Sequence, residues 1–590
     1  MIVPMKQAAL LVSIRAQKDA LKKLRKFGVL HLRHVQPPQS DDLDALVKRL
    51  SQAERALSVL EEAVPSVESP PSRDSSHEAE TAVRQLLERV TEKVSLGDRL
   101  DEKRDIRRWF TTWGAVSLAS VEVLEAAGVK MRCYQTDRGA LKKLPEGGDL
   151  HILGEEKGAV FAVLFTEDPE QELDLKEDIM PRVEVSALDA EIASLEKKIM
   201  TLETEISRFA DRKQAIRSHI AALKKEKEFH AALAGMGASE GFVYLRGFLP
   251  EDKTDALKSL ARSEGWGVIL SSPEDPAEVP TLLRNPKVPR IIEPLFRFMG
   301  TLPGYHEVDV SFVFLLFFSL FYAMIIGDAG YGLIFLAATA FLRSRFRDAP
   351  AEPFALFYVL SVATLIWGGL TGTWFGSRTL AEWPPLRRLV IEPMFSFGVS
   401  GETTLFMIRF SFILGLIHLL VAHFMAFLKK LPSIRAVAEL GWMLICAGMF
   451  FVVDLLVLSR PFPKAAGMLL VLGLAVVGLF KNFNKHPLKM ITGFFGSIAG
   501  SIQNVIGAFS DIVSYIRLFA VGLASVTVAA TFNDMAGGVF APIVLVLGHG
   551  LNIVLCLMSV MVHGVRLNML EFSGHLGQEW TGNPYEPFRE

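Results

Sequence analysis

Cysteine, nucleotide-binding glycine loops and, over one half of its length, charge are what this 590-residue sequence has least of. Its three cysteines, Cys133, Cys446 and Cys556, are far apart, and two sit in apolar segments. Neither a disulfide framework nor a zinc-finger spacing can be drawn from that inventory. No G-x-x-x-x-G-K-[ST] run occurs, so ATP hydrolysis by this chain itself is not expected, and nothing in the pattern calls for a cofactor or a metal. The start, MIVPMKQAALLVSIRAQKD, lacks a basic segment followed by an apolar run and a small-residue cleavage site. No signal peptide is expected, which places the first half on the cytoplasmic side. Net charge is −2, so no global basic field points to nucleic acid.

Charge is scarce in one half only. Of 63 basic and 65 acidic residues, 34 fall within residues 305–590. That is about one residue in eight, against about one in three before it. Residues 1–300 read as a soluble arm, and residues 301–590 as a membrane domain.

In the arm, Ala8–Ile14, Lys18–Phe27 and Val29–Val35 alternate as strand, amphipathic helix and strand, a small α/β lobe near 1–36. Phe242–Leu249, a helix opened by Pro250, and Trp266–Leu270 suggest a second lobe near 240–272. Ala159–Thr166 is a further strand that belongs to neither. Leu188, Ile192, Leu195, Ile199, Leu202, Ile206, Phe209, Ile216, Ile220 and Leu223 form a heptad seam that only Lys213 interrupts. Leu43, Leu46, Leu50, Ala53, Leu57 and Leu60 keep the same spacing, and Val83, Leu86, Val90 and Val94 resume it after Pro65–Ser76. A seam needs a partner, and the chain offers one going out and one returning. The expected fold of the arm is therefore α+β: two small α/β lobes joined by an antiparallel coiled coil near 40–110 and 185–235. A homodimeric parallel coiled coil is the alternative.

The membrane half holds apolar stretches at 311–342, 354–376, 404–428, 437–458, 465–480, 491–532 and 537–570. A spanning helix needs about 20 residues, so the first stretch, broken at Gly327, Asp328, Gly330 and Gly332, divides into two short helices. An all-α domain of about eight transmembrane helices results. Basic clusters at Arg343–Arg347, Lys429–Arg435 and Lys481–Lys489 mark alternate loops as cytoplasmic, which puts both termini inside. The stretch 491–532 would be roughly 60 Å as one straight helix, twice the hydrocarbon core, so it must tilt, break or protrude.

Ionisable groups at membrane depth are functional candidates by default. His549, Asn552, Cys556, Ser559, His563 and Arg566 recur at spacings of three and four, which at 3.6 residues per turn stacks them on one face, with Val554 and Met561 opposite. This stripe reads as hydrated; hydrogen-bonding between helices is the blander account. Arg517 shares a face with Ser510 and Ser514 in the preceding stretch. A structural pairing with Asp511, or for Arg566 a snorkel to the interface, competes with a working role. His423 and Asp454 read as structural or interfacial.

Four segments carry a family resemblance: GDAGYG (Gly327–Gly332), Ile417–His418, SYIRLFAVGLA (Ser514–Ala524) and HGVRLNMLEF (His563–Phe572). Together they resemble the membrane a subunit of rotary V-type and A-type ATPases, called subunit I in bacteria. The resemblance implies a stationary subunit providing two aqueous half-channels beside a rotating proteolipid c/K ring, coupling H⁺ or Na⁺ movement to ATP hydrolysis or synthesis. It implies peripheral-stalk subunits E and G (or H) on the arm, a central-stalk d/C subunit, and the plasma membrane of a prokaryote. Arg517 matches the family's essential arginine and Arg566 its second. A guanidinium that cannot deprotonate favours the ionised form of a ring carboxylate and so forces ion release. Gln503, Asn504, Ser510, Ser514, Glu571 and the stripe would line the half-channels, while the GDAGYG glycines, Asp328 and His418 would be structural. The family commonly carries an intramembrane Glu before each arginine. Here Cys556 and Gln503–Asn504 stand there, so water and hydroxyls would conduct, or the coupling ion would differ. A secondary ion-coupled transporter with a coiled-coil arm is the competing reading, although no internal repeat is found. A structural tether is the other, and it has no use for Arg517.

Overall fold

A computed structural model describes residues 1–63, 76–136, 149–156, 159–168, 175, 177–397, 401–483 and 487–589. The chain divides into two compact units, one formed mainly by residues 34–243 and the other by the first 13 residues, residues 24–33 and everything from Tyr244 on.

The first of these is built on four helices, Asp41–Ala63, Ser76–Trp113, Val185–Arg208 and Lys213–Ala234. Residues 76–113 pack on 185–208, and 41–63 on 213–234. Ion pairs Arg89–Glu205 (3.1 Å), Lys103–Glu191 (2.9 Å) and Arg107–Asp189 (2.6 Å) rise along one helix as they fall along the other, so the pair is antiparallel. Each such exposed pair contributes about 0–1 kcal/mol, and the buried leucines and isoleucines of the seam contribute about 1.5–3 kcal/mol each. Leu46, Leu50, Leu60, Leu86, Ile206, Ile216 and Leu223 share that core. The seam's interruption at Lys213 has a structural counterpart: residues 209–212 form a 3₁₀ turn between the two returning helices. Part of the break that the sequence puts at Pro65–Ser76 lies outside the described residues.

Ala159–Thr166, the strand without a lobe, proves to be the centre of an antiparallel sheet with Lys130–Thr136 and Asp149–Glu156. Its Cys133 packs with Trp113 and Val163, and burial pushes the thiol up to about 12. It stays protonated and inert.

The two expected α/β lobes at 1–36 and 240–272 are a single sheet. Strand order runs 31–33, 242–250, 5–13, 267–271, with Gln7–Leu11 antiparallel to Gly267–Ser271 and His31–Arg33 antiparallel to Arg246–Phe248. Each lobe alone would have left strand edges unpaired, and merging them satisfies those backbone groups. The chain's last residues join the same neighbourhood. Asn583–Pro584 lies parallel to Pro280–Thr281, Phe588 N–H donates to Leu30 C=O (2.9 Å), and the Tyr585 hydroxyl donates to Val29 C=O.

Among the described residues five helices are long and apolar enough to cross a membrane: Ala351–Thr371, Gly401–Lys430, Ile434–Leu458, Thr492–Met535 and Gly538–Leu576. Ser311–Ile326 and Ala329–Arg345 pass together but bend by 120°, and Lys464–Phe480 is apolar but shorter. All the apolar stretches are thus helical, whereas the number of full crossings by length alone is smaller than eight. The long stretch is interrupted at Gly500–Ser501 and again at Tyr515, yet Thr492–Met535 continues as one apolar run of 44 residues.

GDAGYG makes the 120° bend. Gly327 ends its helix at φ +70°, a conformation costly for any side chain with a Cβ. Asp328 then caps the next helix, its carboxylate accepting from the N–H groups of Gly330 (2.7 Å), Phe375 (2.8 Å) and Gly376 (2.9 Å). A Cβ on Gly332 would lie 2.8 Å from the Leu365 backbone, so the helices there touch main chain to main chain.

Candidate functional site

Arg517 stands two residues after the second break, as the second residue of the helix Ile516–Met535. Its Nη2 donates to Glu571 Oε1 at 2.9 Å and its Nε to Ser514 C=O at 2.9 Å. Ser514 Oγ also reaches Glu571 Oε1 (3.4 Å), and Arg566 Nε lies 3.5 Å from the same oxygen. Arg517 therefore pairs with Glu571 and not with Asp511. Glu571 is 5% exposed, Arg517 24% and Arg566 53%: one buried carboxylate holds two guanidiniums of unequal access.

An α-helix cannot bring Arg566 and Glu571 together, because residues five apart point in different directions. The chain solves this with π-turns at Val560–Gly564 and Leu567–Phe572, where the hydrogen-bond step is i to i+5. The wider turn swings Glu571 back toward Arg566.

The same π-turns divide the stripe. Asn552 and Cys556 are buried, and with His549 they enter a hydrogen-bond network between helices. Asn552 Nδ2 donates to the Tyr331 hydroxyl (3.0 Å) and to Ser525 C=O (2.9 Å). Tyr331 meets His549 Nδ1 (2.7 Å), His549 Nε2 meets Asn533 Oδ1 (3.2 Å), and Cys556 Sγ meets Ser525 Oγ (3.1 Å). This half of the stripe is interhelical hydrogen-bonding, satisfied within the protein. Ser559 and His563 are half-buried and Arg566 is exposed, so the other half is open. Val554 and Met561 are exposed on the far side.

A second polar group lies toward the helix ends that carry Lys430 and Lys481. Asp511 Oδ2 meets His575 Nε2 (3.0 Å), His575 Nδ1 meets His423 Nε2 (2.8 Å), and His423 Nδ1 meets Glu439 Oε2 (2.7 Å), which also pairs with Lys430. A cavity of about 530 Å³ opens onto this chain, lined also by Gln503, Asn504 and Gly507. Gln503, Asn504 and Ser510 are exposed there or beside it.

His418 is fully buried, sandwiched between the rings of Phe317 (4.1 Å) and Phe572 (4.6 Å), with Nδ1 on the Tyr515 hydroxyl (2.8 Å). Asp454 pairs with Arg409 (3.1 Å). Both serve packing, as do Gly327, Asp328, Gly330 and Gly332 at the bend.

Among curated proteins, V-type ATP synthase subunit I of Borreliella burgdorferi is 31% identical to this chain over 621 residues, with both chains covered completely. The chain belongs to the V-type ATP synthase subunit I family. Subunit I 1 of Treponema pallidum is equally similar, at 31% over 626 residues and the whole of both chains. The A-type ATP synthase subunit I of Methanocaldococcus jannaschii is 27% identical over 69% of this chain and 64% of its own. No family model matches. A solved structure described as the cytoplasmic N-terminal domain of subunit I, homolog of subunit a, of V-ATPase covers 45% of this chain and all of its own, at 19% identity and a TM-score of 0.25. As a subunit I with several membrane-length apolar helices, the chain is a multi-pass membrane protein.

Sequence reasoning missed the chain Asp511–His575–His423–Glu439. Asp511 is the sole acidic residue between Ile491 and Phe532, and Glu439 the first in the apolar run 437–458. Isolated acids in apolar runs were the available signal.

Proposed function

We propose that this chain is the stationary ion-channel subunit of a rotary V-type ATP synthase, with Arg517 facing the carboxylates of a rotating proteolipid ring. The observation that carries the reading is a partly exposed arginine, paired with a buried glutamate inside an apolar helical run, in a chain of the subunit I family. A ring carboxylate arriving from lipid is neutral, and beside a guanidinium its ionised form is stabilised, so the ion leaves. Glu571 keeps Arg517 aimed and compensated while no ring carboxylate is opposite. The fixed cation also separates the two aqueous paths. One half-channel enters through the cavity at Gln503, Asn504, Asp511 and His575, with Ser510 and Ser514 leading to Arg517. The other passes the open half of the stripe, Ser559, His563 and Arg566. Peripheral-stalk helices bind the arm.

The direct test is ATP-driven ion uptake into vesicles. Complexes containing this chain should load the lumen, whereas complexes assembled without it should hydrolyse ATP and move nothing; uptake without this chain would end the proposal.

Both termini on the cytoplasmic side complete the reading. Contact between residues 585–588 and 29–30 supports both ends lying on one side of the membrane, with an even number of crossings. Eight crossings meet that parity if the bent pair spans twice and Lys464–Phe480 once. Reporters fused after Arg347, after Lys430 and at residue 589 should all read cytoplasmic, and a periplasmic signal at any of the three would break the arrangement.

A further inference from the structure

We propose that His423, Cys446 and His575 form a binding site for a soft divalent cation of the zinc class, entered through the cavity beside Asp511. The argument begins with proton counting. A neutral imidazole carries one N–H, and an ionised carboxylate only accepts. His423 Nδ1 faces Glu439 Oε2 at 2.7 Å, so its hydrogen is on Nδ1. His575 Nε2 faces Asp511 Oδ2 at 3.0 Å, so its hydrogen is on Nε2. The two remaining nitrogens, His423 Nε2 and His575 Nδ1, then point bare lone pairs at each other across 2.8 Å. With both rings neutral, two lone pairs at that distance repel, and a shared cation, whether a proton or a metal ion, relieves them; the third donor nearby favours the metal.

A third donor is already there. Cys446 is fully buried, its thiol is free, and its Sγ and the two ring nitrogens all lie within 4.8 Å of one another. Tetrahedral zinc, with bonds of about 2.0 Å to nitrogen and 2.3 Å to sulfur, would draw sulfur and nitrogen to about 3.6 Å, a shift of roughly 1 Å. Thiolate with two imidazoles suits zinc or cobalt and not magnesium or calcium. Each histidine holds a carboxylate on its far nitrogen, the outer arrangement that fixes tautomer and orientation in metal sites, and Trp442 lies parallel to His423 at 6.1 Å. The ligands come from three separated stretches, the helices Gly401–Lys430 and Val437–Leu458 and the turn Ser573–Leu576, which is why no spacing in the sequence announces them. His423 and His575 line the cavity, which gives the ion an entry path and a source of water for a fourth ligand; the thiol proton leaves to solvent as the metal–sulfur bond forms.

The experiment uses the full chain, purified in detergent, stripped of metal and titrated with Co²⁺. A single equivalent should bind with a thiolate-to-cobalt charge-transfer band, and Zn²⁺ should displace it. Cys446→Ser should remove the band and His575→Gln the binding, while Asp511→Asn should weaken affinity about 10- to 100-fold through the outer shell. Should the variants fold poorly, X-ray absorption on the zinc-loaded wild-type chain must count one sulfur and two imidazole nitrogens around the metal. No binding, or bound metal without a sulfur neighbour, overturns the site.

Discussion

Complexes carrying Arg517→Ala should assemble with the ring, hydrolyse ATP and carry no coupled ion flux. A unit charge about 4 Å from a ring carboxylate, at an effective dielectric near 20, is worth about 4 kcal/mol, or roughly a thousandfold in the ionised population. Alanine removes all of it, so release at the channel mouth stalls. Arg517→Lys should also fail, with a smaller deficit. Lysine retains a charge but loses the fork that binds Glu571 and Ser514 together, and it can deprotonate in apolar surroundings where arginine does not. Uptake of ions into vesicles, set against ATP turnover in the same sample, reads the result. Near-normal coupled uptake by Arg517→Ala would remove the role assigned to it.

Glu571→Gln should produce the second-largest loss. The carboxylate balances Arg517 and Arg566 at once, and its removal leaves two cations converging on one amide. Breaking a fully buried pair costs about 3–5 kcal/mol, and partial exposure of both arginines reduces the expected destabilisation to about 2 kcal/mol. Transport should fall further than stability does, by at least about tenfold, because a misplacement of an Ångström at a charge that must meet a moving partner is expensive. Arg566→Ala should be milder than either, since that side chain is 53% exposed and sits 3.5 Å from the carboxylate. A thermal shift in detergent and the vesicle assay, on the three variants side by side, fix the ranking; Arg566→Ala proving worse than Arg517→Ala would reverse the roles of the two arginines.

What was legible in the sequence was local periodicity and isolated charge. The heptad positions Leu46, Leu50, Ile216 and Leu223 do meet in one core, and Arg517, Glu571, Asp328 and His418 are where membrane-depth polarity says to look. What was not legible depended on leaving the regular helix or on distant pairing. The stripe from His549 to Arg566 assumed an unbroken α-helix, and π-turns redirect its second half. Glu571 was placed as channel lining, while its hold on both arginines depends on the same turns. Sheet partners 200 and more residues apart, such as Gln7 with Ser271, leave no trace in a local pattern, so one sheet read as two lobes.

The sheet's connectivity also bears on synthesis. Its strands at 5–13 and 31–33 are made before their partners at 242–250 and 267–271, which follow the helical insertion, and Phe588, whose N–H donates to Leu30 C=O, is made later than all of them. At about 5–20 residues per second, the opening strands wait roughly half a minute to two minutes for that final contact. Through that interval they expose unpaired edges while apolar helices are being threaded into lipid. Loss of residues 583–588 would therefore free Val29, Leu30 and the 280–281 strand of their partners at once, loosening a sheet whose members lie hundreds of residues apart.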